Sequence, residues 1–400
     1  MSVEPASQPP APVSAPLLLV MLIASIGLPS IGASIAIPSL AEVARDFGTD
    51  YGAVALTQTL YLLGLALPQL VYGAVSDRVG RRPTLLTGMG LYVLGSLLCM
   101  YSPTIEVLMA GRLCQAIGGC AGIALGRAIL RDLYPREKAA SSLAYMTMTM
   151  AAGPMLAPLL GGLIQESFGW RAIFLPLVLF SAGAFILCWV ALPETHRVEE
   201  KPRWASLAQG FVTLMRHPLY RIYMIPPACL TGIYQAFLST CSFVAAVFFP
   251  MSPVELGLWL LTSVGGFSFG NFLSGRFGQR IGIDRLIKLG AIINLASTLV
   301  LAGLLAAGWL TTLGFFGAMV VLNIGHGLAM PNGIASATGV IPGLLGSAAG
   351  LTGFLQMATA ALFSIGVGML VETSVWFLFG TMVALGLVAL AAALRSPAER

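Results

Sequence analysis

Apolar residues run along this chain in stretches of about 20, the length a helix needs to cross a bilayer, and short clusters of charge or Pro/Gly breaks separate them. The pattern predicts twelve spans near residues 17–40, 52–75, 84–101, 106–130, 139–165, 170–192, 220–249, 255–275, 287–308, 310–331, 345–371 and 374–394. Between Lys288 and Glu372 no Asp, Glu, Lys or Arg intervenes, so that stretch is divided at Gly308 and across Pro331 to Gly346. The longest polar connection, 193–219, holds ETHRVEEKPRW and an amphipathic stretch from Ser206 to Arg216. It divides the chain into a tail (1–16), a six-span half (17–192), the linker (193–219), a second six-span half (220–394) and a final tail (395–400). The predicted fold is an all-α membrane protein.

Composition agrees: of 400 residues 57% are hydrophobic and 9% charged, against about a quarter charged in soluble domains. A soluble globule is excluded. The net charge of +5 does not point to nucleic acid, because the basic residues are scattered between apolar runs. Their distribution reports topology instead. With the N-terminus inside, 17 Lys and Arg fall on the cytoplasmic side, and only Arg45 and Arg171 fall on the other. Both termini are therefore expected in the cytoplasm. The Pro-rich start carries no Lys or Arg, lacks the basic region of a cleavable signal peptide, and reads as a disordered tail. All six cysteines sit in apolar runs as small buried hydrophobes.

The two halves echo each other. Gly73 to Arg82 reads GAVSDRVGRR after span 2, and Asn271 to Arg280 reads NFLSGRFGQR after span 8, pairing Arg78, Gly80 and Arg82 with Arg276, Gly278 and Arg280. In the first copy Gly73 is read as allowing close helix approach. Asp77 ends the span as a carboxylate, Gly80 permits a tight turn, and Arg78, Arg81 and Arg82 sit at headgroup level. These ten residues match the G-x-x-x-D-R-x-G-R-R signature, and the chain resembles the major facilitator superfamily. Span 4, GRLCQAIGGCAGIALGRAILRDLY, is similar to Bcr/CflA-type drug-resistance exporters, as is GHGLAMPNGIASA in and after span 10. GPMLAPLLGGLI in span 5 resembles the proline-glycine element of the superfamily's antiporters, with Ala157 where Gly is usual.

The resemblance implies a major facilitator fold of twelve transmembrane helices in two six-helix halves, a bacterial inner-membrane location and export by alternating access. It also implies that Asp77, Arg81 and Asp132 form a cytoplasmic charge cluster that gates, although the same charges could merely fix topology. Arg112 lies about 8 Å inside the end of span 4 at 1.5 Å per residue. The resemblance gives it a coupling or substrate-binding role, and snorkelling to the interface is the alternative. Pro154 and Pro158 either let span 5 bend during switching or merely kink it.

Ser34 stands where Bcr/CflA-type proteins commonly carry an acid, and no Asp or Glu falls in the centre of any span. The driving ion is thus open, with the proton a candidate and His326 in span 10 one group able to exchange it, or else a packing or substrate-contact residue. Candidate substrate-lining residues are Gln58, Tyr61, Gln115, Met146, Met150, Tyr234, Gln235, Phe237, Asn323, His326 and Gln356, since buried amides need partners and a central cavity is one place to find them. The lining suits a neutral or cationic amphipathic solute.

None of the three lysines follows glycine, which argues against a phosphate-binding loop, and the three histidines are dispersed. Neither an enzyme, nor a cofactor, nor a metal is expected. The expected partners are a small-molecule substrate, the lipid bilayer and a candidate proton, handled by a monomer. The function read from all this is export of drugs or amphipathic molecules. The alternatives are a dedicated exporter of one endogenous metabolite, such as a siderophore or amino-acid derivative, and a nontransporting membrane sensor.

Overall fold

The computed structural model describes residues 15–133, 153–154, 156–195 and 204–396, and these form helices joined by short turns, with no strand among them. In chain order the helices are α1 (Ala15–Ser34), α2 (Leu40–Phe47), α3 (Tyr51–Gln69), α4 (Tyr72–Val79), α5 (Arg81–Met100) and α6 (Ile105–Leu133). Next come α7, described over 156–168, then α8 (Phe174–Ala191), α9 (Trp204–Arg216) and α10 (Pro218–Phe248). The chain ends with α11 (Pro253–Ile281), α12 (Ile283–Ala306), α13 (Thr312–Gly339), α14 (Leu345–Leu370) and α15 (Trp376–Leu394).

Eleven helical segments among the described residues are long and apolar enough to cross a bilayer. α7 takes the place of the remaining expected span, whose residues 139–152 lie outside the described ones, together with Met146 and Met150. Large apolar side chains face outward along the bundle, among them Leu179, Phe180 and Val190 on α8 and Leu299 and Val300 on α12. Lipid, not water, is the medium that accommodates such a surface.

Three boundaries differ from the sequence pattern. The first run breaks at Pro38, where a short 3-10 turn over Ile37–Ser39 hands the chain to α2, because proline has no N–H to continue the ladder. The second run stops at Gln69, and α4 is a separate short helix. The tenth does the opposite: α13 runs through Pro331 to Gly339. There the Asn332 side chain donates to Leu328 O at 2.7 Å and to Ser274 Oγ at 2.7 Å, so this turn is held from both sides.

Buried apolar residues form two main clusters, one built from positions between Leu22 and Leu192 plus Val371, the other from Cys229 to Ala389 plus Ile37. α1, α3, α5, α6 and α8 pack on one another, as do α10 to α15. Between the groups, α3 lies along α14: Thr59 Oγ1 donates to Ser364 Oγ at 3.4 Å, and Leu62 packs with Ala360 and Ala361. α7 meets α11 where Gly257 faces Pro158 and Leu159.

Candidate functional site

At the α4–α5 corner the backbone turns through Gly80 at φ 106, ψ 153, a conformation that favours glycine. The turn sets Arg81, the first residue of α5, between α4 and α6. Arg81 Nη1 lies 2.5 Å from Asp77 Oδ1, and Arg81 Nε donates to Asp132 Oδ2 at 3.2 Å. Arg81 Nη1 also donates to Ser76 Oγ. The three residues expected to cluster therefore do so, with the guanidinium as the shared centre. Arg78 is exposed at the same end, and the side chains of Arg127 and Arg131 lie outside the described ones.

Two features of this corner carry no local signal in the sequence. Glu194, just after α8, accepts from Arg81 N at 2.9 Å and Arg82 N at 3.2 Å, covering the N–H groups that α5 leaves unpaired in its first turn. In addition, the internal repeat pairs differently from the sequence match: Gly282 before α12 has φ 90, ψ 146 and its N–H bonds to Gly278 O, as Gly80 N–H bonds to Ser76 O. Gly80 thus corresponds to Gly282, not Gly278, and Arg78 to Arg280. The match by arginine spacing was one helical turn out of step, because it tracked side-chain identity rather than the left-handed turn.

Arg112 is 2% exposed, which removes snorkelling to the interface as its explanation. Its Nη1 donates to Gly32 O and Gln115 Oε1, both at 2.8 Å, and its Nη2 to Gln58 Oε1 at 3.1 Å. The guanidinium lies over the Tyr61 ring, 4.0 Å from the centroid. Around it Gln58 Nε2 donates to Ala33 O, Tyr61 OH to Pro29 O and Gln115 Nε2 to Ser96 Oγ. The structure therefore brings Arg112, Gln58, Tyr61 and Gln115 together, at a junction of α1, α3, α5 and α6.

The other candidates lie among α10 to α14. His326 is buried, with the Tyr234 ring 5.9 Å and the Phe267 ring 5.2 Å away, both edge-on. Asn323, one turn earlier, donates from Nδ2 to Ser263 Oγ at 2.8 Å and to Met319 O at 3.0 Å. Gln235 and Gln356 are buried on α10 and α14. Phe237 is packed into an aromatic core with Phe315 and Phe316, its ring also 6.5 Å from that of Tyr234. Pro158 is buried against α11, and Pro154 is half-buried.

At the end of α3 opposite α4, Tyr51 reaches across to the second group of helices. Its N–H donates to Glu372 Oε1 at 2.9 Å, its hydroxyl donates to Ser239 O at 2.7 Å, and its ring lies 5.3 Å from Phe243. Neither Tyr51 nor Glu372 carries a local motif, and their contact spans 321 positions.

Comparison with known proteins bears on the whole assembly. Residues 22–364 match the family described as Major Facilitator Superfamily. The chain belongs to the major facilitator superfamily. Multidrug resistance protein D of Escherichia coli is 31% identical over 349 residues, 85% of each chain. The Bicyclomycin resistance protein homolog of Haemophilus influenzae is 28% identical over 88% of this chain and 89% of its own. These relatives agree with the Bcr/CflA-type resemblance of the motifs. Among solved structures, a bacterial homolog of the human lysosomal transporter Spinster superposes with a TM-score of 0.74 at 16% identity, covering 95% of this chain and 96% of that one. The fold is thus the twelve-helix fold of superfamily transporters, in which the Arg81 corner and the Tyr51 contact occupy opposite ends of α3.

Proposed function

We propose that this chain is a secondary active exporter of drugs or other amphipathic small molecules. It carries them across a bacterial cytoplasmic membrane by alternating access between the halves 17–192 and 220–394, with 193–219 as the linker. The observation that carries this reading is the likeness over 85% of the chain to Multidrug resistance protein D. The Chloramphenicol resistance protein of Pseudomonas aeruginosa, 29% identical over 76% of this chain, points the same way.

Alternating access needs contacts that break at each end in turn, and two sets of contacts support this reading. The Asp77–Arg81–Asp132 cluster ties α4, α5 and α6 together within the first half at one end, and the Tyr51 contacts with Ser239 and Glu372 join the two halves at the other. The basic bias puts the Arg81 end and both termini in the cytoplasm. A single copy contains both halves and works as a monomer. The proton is the candidate driving ion, and the work is carriage rather than catalysis.

Efflux of a compound panel from cells expressing the protein, with and without a proton-gradient uncoupler, tests the reading. Export that stops with uncoupler supports it. Binding without net or exchange flux in proteoliposomes would replace it with a sensor.

A further inference from the structure

The two sets of buried polar residues differ in one respect. Around Arg112 the amides of Gln58 and Gln115 each have both a donor and an acceptor partner inside the protein. Around His326 they do not. Both ring nitrogens of His326, Asn323 Oδ1 and Gln235 Nε2 are buried without a hydrogen-bond partner. Buried polar groups are almost always paired, and leaving one unpaired is costly. Asn323 and His326 stand one turn apart on α13, and Gln235 adjoins Tyr234, which packs against His326; unpaired groups so placed are retained where something else pairs with them.

Their placement is ordered. Ser263 and Phe267 are four residues apart on α11, Ser263 holding Asn323 and Phe267 lying against His326. The Tyr234 ring of α10 also lies edge-on to the imidazole, 5.9 Å away, and Gln235 follows Tyr234 in sequence. Building on the export reading above, we infer that this cluster is the polar recognition site for the transported solute, and that it selects uncharged solutes carrying a carbonyl next to an N–H or O–H, as in amides and lactams. Gln235 Nε2 and the N–H of a neutral imidazole are donors for the carbonyl, while Asn323 Oδ1 and the other ring nitrogen accept from the N–H or O–H. The aromatic edges around His326 suit a flat group. The satisfied Arg112 set holds its half together and leaves solute selection to the second half.

Two probes test this on the full-length protein: chloramphenicol, an uncharged amide, and tetraphenylphosphonium, a permanent cation without a hydrogen-bonding group. Binding is measured on purified protein and flux in proteoliposomes. His326→Phe is expected to weaken chloramphenicol about tenfold relative to tetraphenylphosphonium, the size of losing a buried hydrogen bond or two. His326→Gln, which keeps a donor and an acceptor, should hold most of the preference. Gln235→Leu should shift the ratio in the same direction, and it carries the test if His326→Phe fails to insert. An unchanged ratio in the variants, or no chloramphenicol binding by the unaltered protein, overturns the inference. The expected ratio shift without flux would sink the export reading and leave the recognition site standing.

Discussion

Glu194 closes over the N-terminus of α5, its two carboxylate oxygens shared between the N–H groups of Arg81 and Arg82. A negative charge at a helix N-terminus is attracted by the positive end of the macrodipole and satisfies donors that have no partner in the helix. Because α5 begins directly after Gly80, this contact also fixes the turn from which Arg81 reaches Asp77 and Asp132. Glu194→Ala should lower thermal stability by about 1 kcal/mol and reduce transport, and Glu194→Gln should lose less because its amide oxygen still accepts. Melting of the purified protein together with efflux checks both; an unaltered melting point and unaltered efflux in Glu194→Ala would show the contact to be idle.

Arg81 is shared, so its two acids are not independent. Asp77→Asn and Asp132→Asn should each slow transport severalfold with insertion intact, and the double variant should cost less than the product of the two, because both remove the same shared interaction. Efflux at matched protein level measures this. Multiplicative effects would mean that the carboxylates act separately.

The sequence makes the Arg81 corner readable because Asp77 and Arg81 are four apart in one motif and Asp132 ends a recognisable span. It makes Arg112 and Gln115 readable for the same reason, as near neighbours on one helix. Glu194 stands 113 positions from Arg81, and Tyr51 stands 321 from Glu372. No periodicity encodes such pairs, which exist only once the helices are packed. Proline misled in one direction each time: Pro38 broke a run that hydropathy would continue, and Pro331 failed to break one, since side-chain donors can hold a helical turn around a missing N–H.

Arg112 answers a test of its own. Arg112→Ala leaves Gly32 O and two amide oxygens without their shared donor in a buried setting, an expected loss of about 3–5 kcal/mol for removing one member of a buried charged network. Arg112→Lys keeps the charge but lacks the planar fork that serves Gly32, Gln58 and Gln115 together, so its loss should be intermediate. Equal stability of all three proteins would show that water reaches the site after all.

Glycines separate into two kinds that the sequence does not distinguish. A Cβ at Gly122 would overlap Ser25 O, a backbone atom of α1, whereas a Cβ at Gly73 meets nothing within 4 Å. Close approach is therefore the task of Gly122, and the close-packing role read for Gly73 from its motif is not seen. Gly122→Ala should cost about 1–3 kcal/mol or more through overpacking, and Gly73→Ala should leave the melting point unchanged. Thermal unfolding of both variants decides, and a stability loss in Gly73→Ala would restore the sequence reading.

Tyr51 anchors the contact between the two helix groups at the far end of α3, and each of its bonds crosses to the other group. Removing the hydroxyl in Tyr51→Phe deletes its bonds to Ser239 O and Ser242 Oγ while keeping the ring against Phe243. Each net hydrogen bond of about 1 kcal/mol biases a two-state equilibrium about fivefold, so this variant should spend at least about fivefold more time with that end open. Glu372→Gln still has an oxygen to accept from Tyr51 N but gives up the charge at the start of α3, and should shift the balance by less. A reporter Ser239→Cys, at a position fully buried in this conformation, converts the shift into a rate of labelling by a membrane-impermeant maleimide, with the six native cysteines replaced. The order expected is Tyr51→Phe above Glu372→Gln above the unaltered residues. Equal labelling in all three would mean that the Tyr51 contacts hold nothing closed, and that the occlusion at this end rests on the apolar seam between α3 and α14 alone.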